Sequence, residues 1–289
     1  MAERSPFGRV RLHSLGPWLL VAVGTACSTQ PPPKAPAAPA PRAEVAWHAP
    51  ATLPAREQLS AEVRVLGIKA GEFTFEVERP CEDASSAVLS SKMSTAGLVR
   101  LFKATDGTSR TRMDLRAGRP LESELLVADG DVTRRYRARH RPGAIETTTY
   151  RSGKPPERKV ERIPSGEHPL DMQSAFLVLR HWQAPVGARG YFYVLLGKDL
   201  WRVTVTFDGE KHVTFRDQPR SVVRVSGAAH RVEHGRQDAP RRFTIVLTND
   251  EARTPLFVES DASFGRVLME LTAHEKVSDA AACSTAARF

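Results

Sequence analysis

The sequence predicts an all-β fold, mainly a curved antiparallel meander of about 10–12 strands that forms a barrel or half-barrel, with one short helix at about residues 171–182. Three observations lead to this prediction. Apolar and polar residues alternate with a period of two in many segments after residue 55. Turn-forming pairs separate these segments, and only one stretch has the spacing of a helix.

The alternation is clearest in residues 59–65, where apolar side chains at odd positions alternate with polar ones at even positions. Such a strand buries one face and exposes the other, as antiparallel sheets do. The same pattern recurs at 73–77, 201–207, 243–247 and 267–271.

Turn signals lie between the alternating segments. Asp-Gly pairs at 106–107, 129–130 and 208–209 predict tight hairpins, and Asn249-Asp250 predicts another. Gly67 and Gly71 flank a kink between two alternating runs, which indicates a tight turn or a β-bulge.

The helical segment starts after Asp171, which can act as N-cap for residues 172–181. Ala175, Phe176 and Leu179 form an apolar stripe, and Pro185 ends the helix. A helix beside a curled sheet would cover its concave side or one mouth.

The first 26 residues have the organisation of a secretory signal peptide. A basic stretch precedes a short apolar segment, which is too short to span a membrane, and Gly24-Thr25-Ala26 then precedes Cys27. Residues 24–27 resemble the lipobox of bacterial lipoproteins, although Gly24 stands where leucine is preferred. The same bond also suits ordinary signal peptidase.

The Pro/Ala-rich stretch after Cys27 favours lipidation, because such spacers lift a domain off a membrane. We expect an exported protein that is lipid-anchored in the cell envelope, at the outer membrane facing the periplasm or the surface. The expected organisation is a signal peptide (1–26), lipidated Cys27 with a disordered tether (27–52), a single β domain (53–276) and a C-terminal tail (277–289).

Lipidation of Cys27 would leave Cys81 and Cys283 as a pair in an oxidising compartment. They are disulfide candidates, and their bridge would tie the C-terminal tail to the domain across a loop of about 200 residues. The alternative is two separate buried thiols.

The sequence contains no hydrolase, phosphate-loop, zinc-protease or Cys-x-x-Cys signature. We therefore expect no catalytic residues, no metal and no cofactor. The net charge is +9, and removal of residues 1–26, with three arginines and one glutamate, lowers it to +7. This charge favours phospholipid headgroups, lipopolysaccharide or acidic polymers as partners. Because the protein is expected to be exported, we expect no nucleic-acid partner.

The basic segment 134–141 is the conspicuous charge cluster. On a strand, Arg135, Arg137, Arg139 and Arg141 would line one face, where guanidinium groups could bind phosphates or acidic sugars. The alternative is a solvated outer face, balanced by three acidic residues on neighbouring strands: Glu122, Glu124 and Asp131.

The apolar side chains of the predicted strands either pack the concave side solid or line a cavity for an acyl chain or another amphiphile. The modest aromatic content of 7% favours an incompletely filled interior. The candidate cavity-lining residues are Phe73, Phe75, Trp201, Val203, Val205, Phe207 and Phe243.

Three segments carry a family resemblance: 65–71 with the strand that follows it, the helix with Asp171, Ser174 and Arg180, and 247–255. In this order they resemble the bacterial domain of unknown function family 3108, over about residues 55–275. The resemblance implies exported β-rich proteins without an established activity. By fold analogy, it also implies a sheet similar to the half-barrel of periplasmic lipoprotein carriers, which hold acyl chains.

These observations together predict a non-catalytic cell-envelope lipoprotein with a binding or scaffold role, holding an apolar or amphiphilic ligand in a concave β cavity. The alternatives are a polyanion-binding protein, an assembly partner of an envelope complex, and an enzyme acting on envelope glycans.

Overall fold

The computed structural model of the chain describes residues 45, 53–80, 83, 85–97, 100, 104–163, 167–232, 239–262 and 265–277. The signal segment, Cys27, Cys81 and Cys283 lie outside the described residues, as does most of the tether and of the C-terminal tail. The predictions made for them stay predictions.

The described chain forms fifteen strands and a short helix. They are β1 (Arg56–Val65), β2 (Ile68–Glu78), β3 (Ser86–Thr95), β4 (Thr105–Asp114), β5 (Arg119–Asp129), β6 (Val132–Arg141), β7 (Ala144–Arg151), β8 (Lys154–Arg162), β9 (Leu170–Asp171), α1 (Met172–Arg180), β10 (Arg189–Leu196), β11 (Asp199–Phe215), β12 (Gln218–Arg231), β13 (Arg241–Thr248), β14 (Pro255–Ala262) and β15 (Gly265–Val277).

All these strands belong to one sheet, in the order β8-β7-β6-β5-β4-β3-β2-β1-β15-β14-β13-β12-β11-β10-β9. Neighbours pair antiparallel, except that β9 pairs in parallel with β10. The pairing of β1 with β15 joins two meanders, β1–β8 and β9–β15. The sheet is curved but not closed, because β8 and β9 remain as edges. The predicted all-β class and curved meander are therefore confirmed, with fifteen strands in place of about 10–12.

The predicted helix is confirmed as α1, which begins directly after Asp171, whose own backbone is still extended. The Asp171 side chain accepts a hydrogen bond from the Ser174 backbone N–H, and the Ser174 hydroxyl accepts one from the Asp171 N–H. This reciprocal capping box fixes the first turn. The helix then buries Leu177 and Val178 in the core.

The core lies between the inner face of the sheet and α1. Phe75 stacks edge-to-face on Phe176 with ring centroids 5.1 Å apart, and Trp182 does the same on Phe207 at 5.7 Å. Because successive strand residues face opposite sides, the inner face takes the odd positions of β1, β2 and most of β11. The even positions of β1–β5 form the outer face of this part of the sheet.

The sheet also overlaps itself. On β10, Val194 packs in the main core, whereas the next residue, Leu195, packs in a second cluster. That cluster contains Ala138 of β6 and Ile145 of β7. Since Val194 and Leu195 point to opposite faces, β6 and β7 cover the outer side of β10. The overlap buries apolar surface that an open sheet of this size would expose.

The turn predictions hold only in part. Asp129-Gly130 ends β5 as expected, and Gly67, with φ +83°, lies in the β1–β2 turn. Asp106-Gly107 is instead inside β4, and Asp208-Gly209 is inside β11. The second pair forms a β-bulge, because the register shifts between Phe207 and Gly209, whose φ is +77°. The connection at 249–254 is longer than a tight hairpin.

Candidate functional site

The four arginines of the basic segment lie on one face of β6, as predicted. Ala138, between Arg137 and Arg139, points the other way and is buried. Because β6 pairs in register with β5 and β7, the arginine side chains stand beside the outward side chains of those strands.

Carboxylates on the neighbouring strands contact these arginines. Glu124 Oε2 accepts from Arg135 Nη2 and from Arg137 Nε, both at 2.8 Å. Glu122 lies 3.7 Å from Arg139, and Glu146 lies 3.7 Å from Arg141. The hydrogen bond from Arg135, with that from Arg137, lowers the pKa of the Glu124 carboxyl even though partial burial opposes the shift.

The pairing does not balance the charge. In the cross-strand rows of the β6 arginines, this face of β3–β8 carries nine cationic side chains and three carboxylates, and Asp106 and Asp114 lie on the same face of β4 outside those rows. We call this surface the basic outer face. Its cations are Lys92, Arg110, Arg112, Arg135, Arg137, Arg139, Arg141, Arg158 and Arg162, and its carboxylates are Glu122, Glu124 and Glu146. Asp131, the third predicted counter-charge, lies in the β5–β6 turn.

A polar groove with a volume of about 480 Å³ adjoins this face, on the outer side of β1–β5. Eight outward side chains line it, namely Gln58, Thr74, Glu76, Ser90, Lys92, Thr108, Arg110 and Glu124, together with Ser91 and Ser109. Lys92, Arg110 and Glu124 belong to both surfaces. The groove and the basic outer face are therefore continuous.

Strand register produces this continuity. Cross-strand partners form one row from Glu76 through Ser90, Arg110 and Glu124 to Arg137. From the sequence, only the β6 part of this row was predicted. Alternation in the sequence already predicted polar side chains at the even positions of β2. Which residues of the other strands lie beside them depends on the strand register, which alternation does not give.

A second cluster of charges is buried between β1, α1 and β15. Arg180 Nη1 and Nη2 donate to the two carboxylate oxygens of Glu57 at 2.6 and 2.8 Å, and both side chains are at most 2% exposed. His274 Nε2 donates to Glu57 Oε1 at 2.6 Å. Arg180 Nε also donates to the carbonyls of Ala252 and Arg253, at 3.0 and 2.9 Å. We call Glu57, Arg180 and His274 the buried charge cluster.

This cluster shifts the pKa of two groups. Burial would raise the pKa of Glu57, but the hydrogen bonds and charges of Arg180 and His274 outweigh it and lower that pKa. Burial, reinforced by the neighbouring Arg180, lowers the pKa of His181 to about 3. Glu57 was missed in the sequence analysis, although it is an acidic residue at an odd, inward position of β1.

A third group of polar side chains surrounds the start of α1. Thr111 donates to Asp171 Oδ2 at 2.5 Å, and the Gln173 amide donates to Ser91 at 2.9 Å. His140 lies between Ser123, 2.9 Å from its Nε2, and the Pro169 carbonyl, 3.1 Å from its Nδ1. These bonds tie α1 and β9 to the inner face of β3–β6.

The predicted cavity-lining residues lie in the core or at its border. Phe75, Val203, Val205 and Phe207 are between 0% and 8% exposed. Phe73 and Phe243 are half-buried against the same cluster, and the Trp201 ring lies under Arg241 at 4.9 Å. Such low exposure leaves no water-sized space against Val205 or Phe75, whereas Phe73, Trp201 and Phe243 are partly exposed, and the apolar cavity stays a prediction.

Two structural features are absent from the described residues. None of the helices in this part of the chain has the length and apolar character needed to cross a membrane. Likewise, no group of three or more His, Cys, Asp or Glu side chains in it could hold a metal ion.

Comparison with solved structures supports the fold. The beta-barrel-like protein of Domain of Unknown Function DUF1849 from Brucella abortus matches with a TM-score of 0.56 and 10% identity, over 78% of this chain and 99% of that one. A protein with a YmcC-like fold from Bacteroides fragilis matches with a TM-score of 0.35 and 9% identity, over 82% and 98% of the two chains. At these identities, the first match shows a shared fold alone.

Comparison with sequences identifies the family. No curated protein matches the chain. The family model described as "Protein of unknown function (DUF3108)" matches residues 60–272, which span the domain from β1 to β15. The match confirms the resemblance found in the sequence, and the chain belongs to the DUF3108 family.

Proposed function

We propose that the protein is a non-catalytic binding protein of the cell envelope, tethered through a lipid on Cys27, and that it holds a polyanionic ligand on its basic outer face. One observation carries the proposal: the cross-strand rows of the β6 arginines hold nine cations and three carboxylates across β3–β8. Guanidinium groups arranged this way match carboxylate and phosphate ligands.

The interior supports a binding role over catalysis. Glu57 and Arg180 are at most 2% exposed, and they satisfy each other, so a substrate has no access to either group. The hydrogen-bonded groups at the start of α1 likewise connect strands to the helix. These polar groups bond one structural element to another, whereas the charged groups that a ligand can reach lie on the basic outer face.

The tether fits such a role. A lipid on Cys27 would fix the chain at a membrane, and the Pro/Ala-rich stretch would let the domain reach polymers at some distance from it. Cys27→Ala should release the protein into the soluble fraction of its own cells. A wild-type protein that is already soluble in this fractionation would show that the anchor is absent.

Binding is tested with the purified protein and two polyanions, polygalacturonate and polyglutamate. We expect at least one of them to bind, with an affinity that falls as salt rises, because exposed charges are screened by salt. Arg137→Gln/Arg139→Gln should weaken binding by about fivefold or more. Arg224→Gln/Arg266→Gln makes the same charge change on β12 and β15 and is the matched control.

Two results would contradict the proposal. One is that neither polyanion binds at low salt. The other is that the control variant weakens binding as much as the variant on β6, because net charge alone would then explain the interaction.

A further inference from the structure

The groove differs from the rest of the basic outer face in the chemistry of its lining. Beyond the cations, it presents the hydroxyl groups of Thr74, Ser90 and Thr108 and the amide of Gln58. Hydroxyl and amide groups both donate and accept hydrogen bonds. An apolar ligand would leave these groups without partners, so the groove suits a ligand that is rich in hydrogen-bonding groups.

The two carboxylates of the groove already have cationic partners. Glu76 pairs with Arg56, and Glu124 pairs with Arg135 and Arg137. Their charge is offset, but their oxygens can still accept hydrogen bonds from a ligand. A ligand that carries only anionic groups offers no donor to them, whereas a sugar hydroxyl does.

The two cations of the groove can bind an anionic group. Lys92 and Arg110 stand on β3 and β4, beside the hydroxyl groups of Thr108 and Ser90. No ion pair of Arg110 occurs among the described residues, and its side chain is exposed. One anionic group could therefore bind between these cations while hydroxyl groups of the same ligand contact the threonines and carboxylates.

The size of the groove and its direction point to a polymer. Its volume of about 480 Å³ is in the range of small-ligand sites. From the groove, the register rows continue through the arginines of β6 to Arg158 on β8. With strands about 4.8 Å apart, a chain crossing β1–β8 would meet matching groups over roughly 30 Å.

We infer that the groove binds a sugar unit of an acidic polysaccharide, and that further units of the same chain follow the arginines of the basic outer face. This inference rests on the proposed function and names its ligand class. Carboxylate or phosphate groups of the glycan contact the cations, and its hydroxyl groups contact the uncharged lining of the groove.

The test compares polygalacturonate with polyglutamate, which has the carboxylates without the sugar hydroxyls. Thr74→Val/Thr108→Val removes two groove hydroxyls without changing charge, and valine is well tolerated on exposed strands. We expect it to weaken polygalacturonate binding by about tenfold and to leave polyglutamate binding unchanged. Thr204→Val/Thr214→Val removes two exposed hydroxyls from β11 and is the matched control.

The outcomes separate the inference from the proposed function. Equal binding of both polymers, or a groove variant that binds polygalacturonate as wild type does, overturns the inference and leaves the proposed function standing. Failure of both polymers to bind overturns both. Tighter binding to single-stranded DNA or to anionic vesicles, unaffected by the groove variant, would also overturn the inference.

Discussion

Replacing Arg180 by methionine should be among the most damaging single changes in the domain. The guanidinium group makes both hydrogen bonds to the Glu57 carboxylate and also donates to the carbonyls of Ala252 and Arg253. Without it, a carboxylate that is 1% exposed keeps only His274 as a partner. Removing one partner of a buried ion pair costs about 3–5 kcal/mol.

The free energy of unfolding is measured in urea at neutral pH. Tryptophan fluorescence monitors the transition, because Trp182 is buried in the core. Arg224→Met is the control, since Arg224 pairs with Asp208 at 2.8 Å but is 48% exposed. Arg224→Met should lower the free energy of unfolding by at most about 1 kcal/mol. Glu57→Gln/Arg180→Met removes both charges and should recover much of the stability lost in the single variant.

The pH dependence supplies a second check. Because the folded pKa of Glu57 is below its ordinary value of 4.5, the contribution of the pair is present above that value. It is lost as the pH falls through the folded pKa. The difference in stability between wild type and Arg180→Met should therefore shrink in acid. If Arg180→Met lowers the free energy of unfolding by less than about 1 kcal/mol at neutral pH, as the control does, the reasoning is refuted.

Two further predictions concern His181 and Gly227. The pKa of folded His181 is about 3 and its ordinary value is 6.5, so the unfolded chain binds its proton first on acidification. Between about pH 7.5 and 5.5, the free energy of unfolding in urea should fall by about 1.4 kcal/mol more for wild type than for His181→Gln. An equal fall in the two proteins would contradict this. A Cβ at Gly227 would lie 2.5 Å from the Phe243 ring and 2.6 Å from the Thr204 carbonyl. Gly227→Ala should therefore cost about 1–3 kcal/mol by the same assay, and wild-type stability would disprove the clash.

Strands could be predicted from the sequence where one face is buried, because burial of one face requires apolar and polar residues to alternate. Leu59 and Phe75 are inward residues of β1 and β2, and the alternating run at 201–207 lies inside β11. β8 shows the limit of this reasoning. Nearly every residue of β8 is exposed, so its strand conformation comes from pairing with β7 and leaves no apolar pattern to detect. Unpatterned strands of this kind explain why about 10–12 were expected.

The site was predictable in the same partial way. Alternation placed Arg135, Arg137 and Arg139 on one face, because a strand dictates this locally. The groove needs outward residues from five strands, and the Glu57–Arg180 pair joins residues 123 positions apart. Both depend on the order and register of strands, in particular on the pairing of β1 with β15, which no local pattern encodes.

The pairing of the first strand with the last has a consequence for chain connectivity. Arg56 pairs with Val277, so the two ends of the domain are neighbours in the middle of the sheet. If those ends were linked and the chain opened between β8 and β9, the new order of strands along the chain would equal their order across the sheet. Every antiparallel pair would then be a local hairpin. Folding rates rise as contacts become more local, so this circular permutant should fold faster than the natural connectivity, which cannot form its central pair until the final strand has been made.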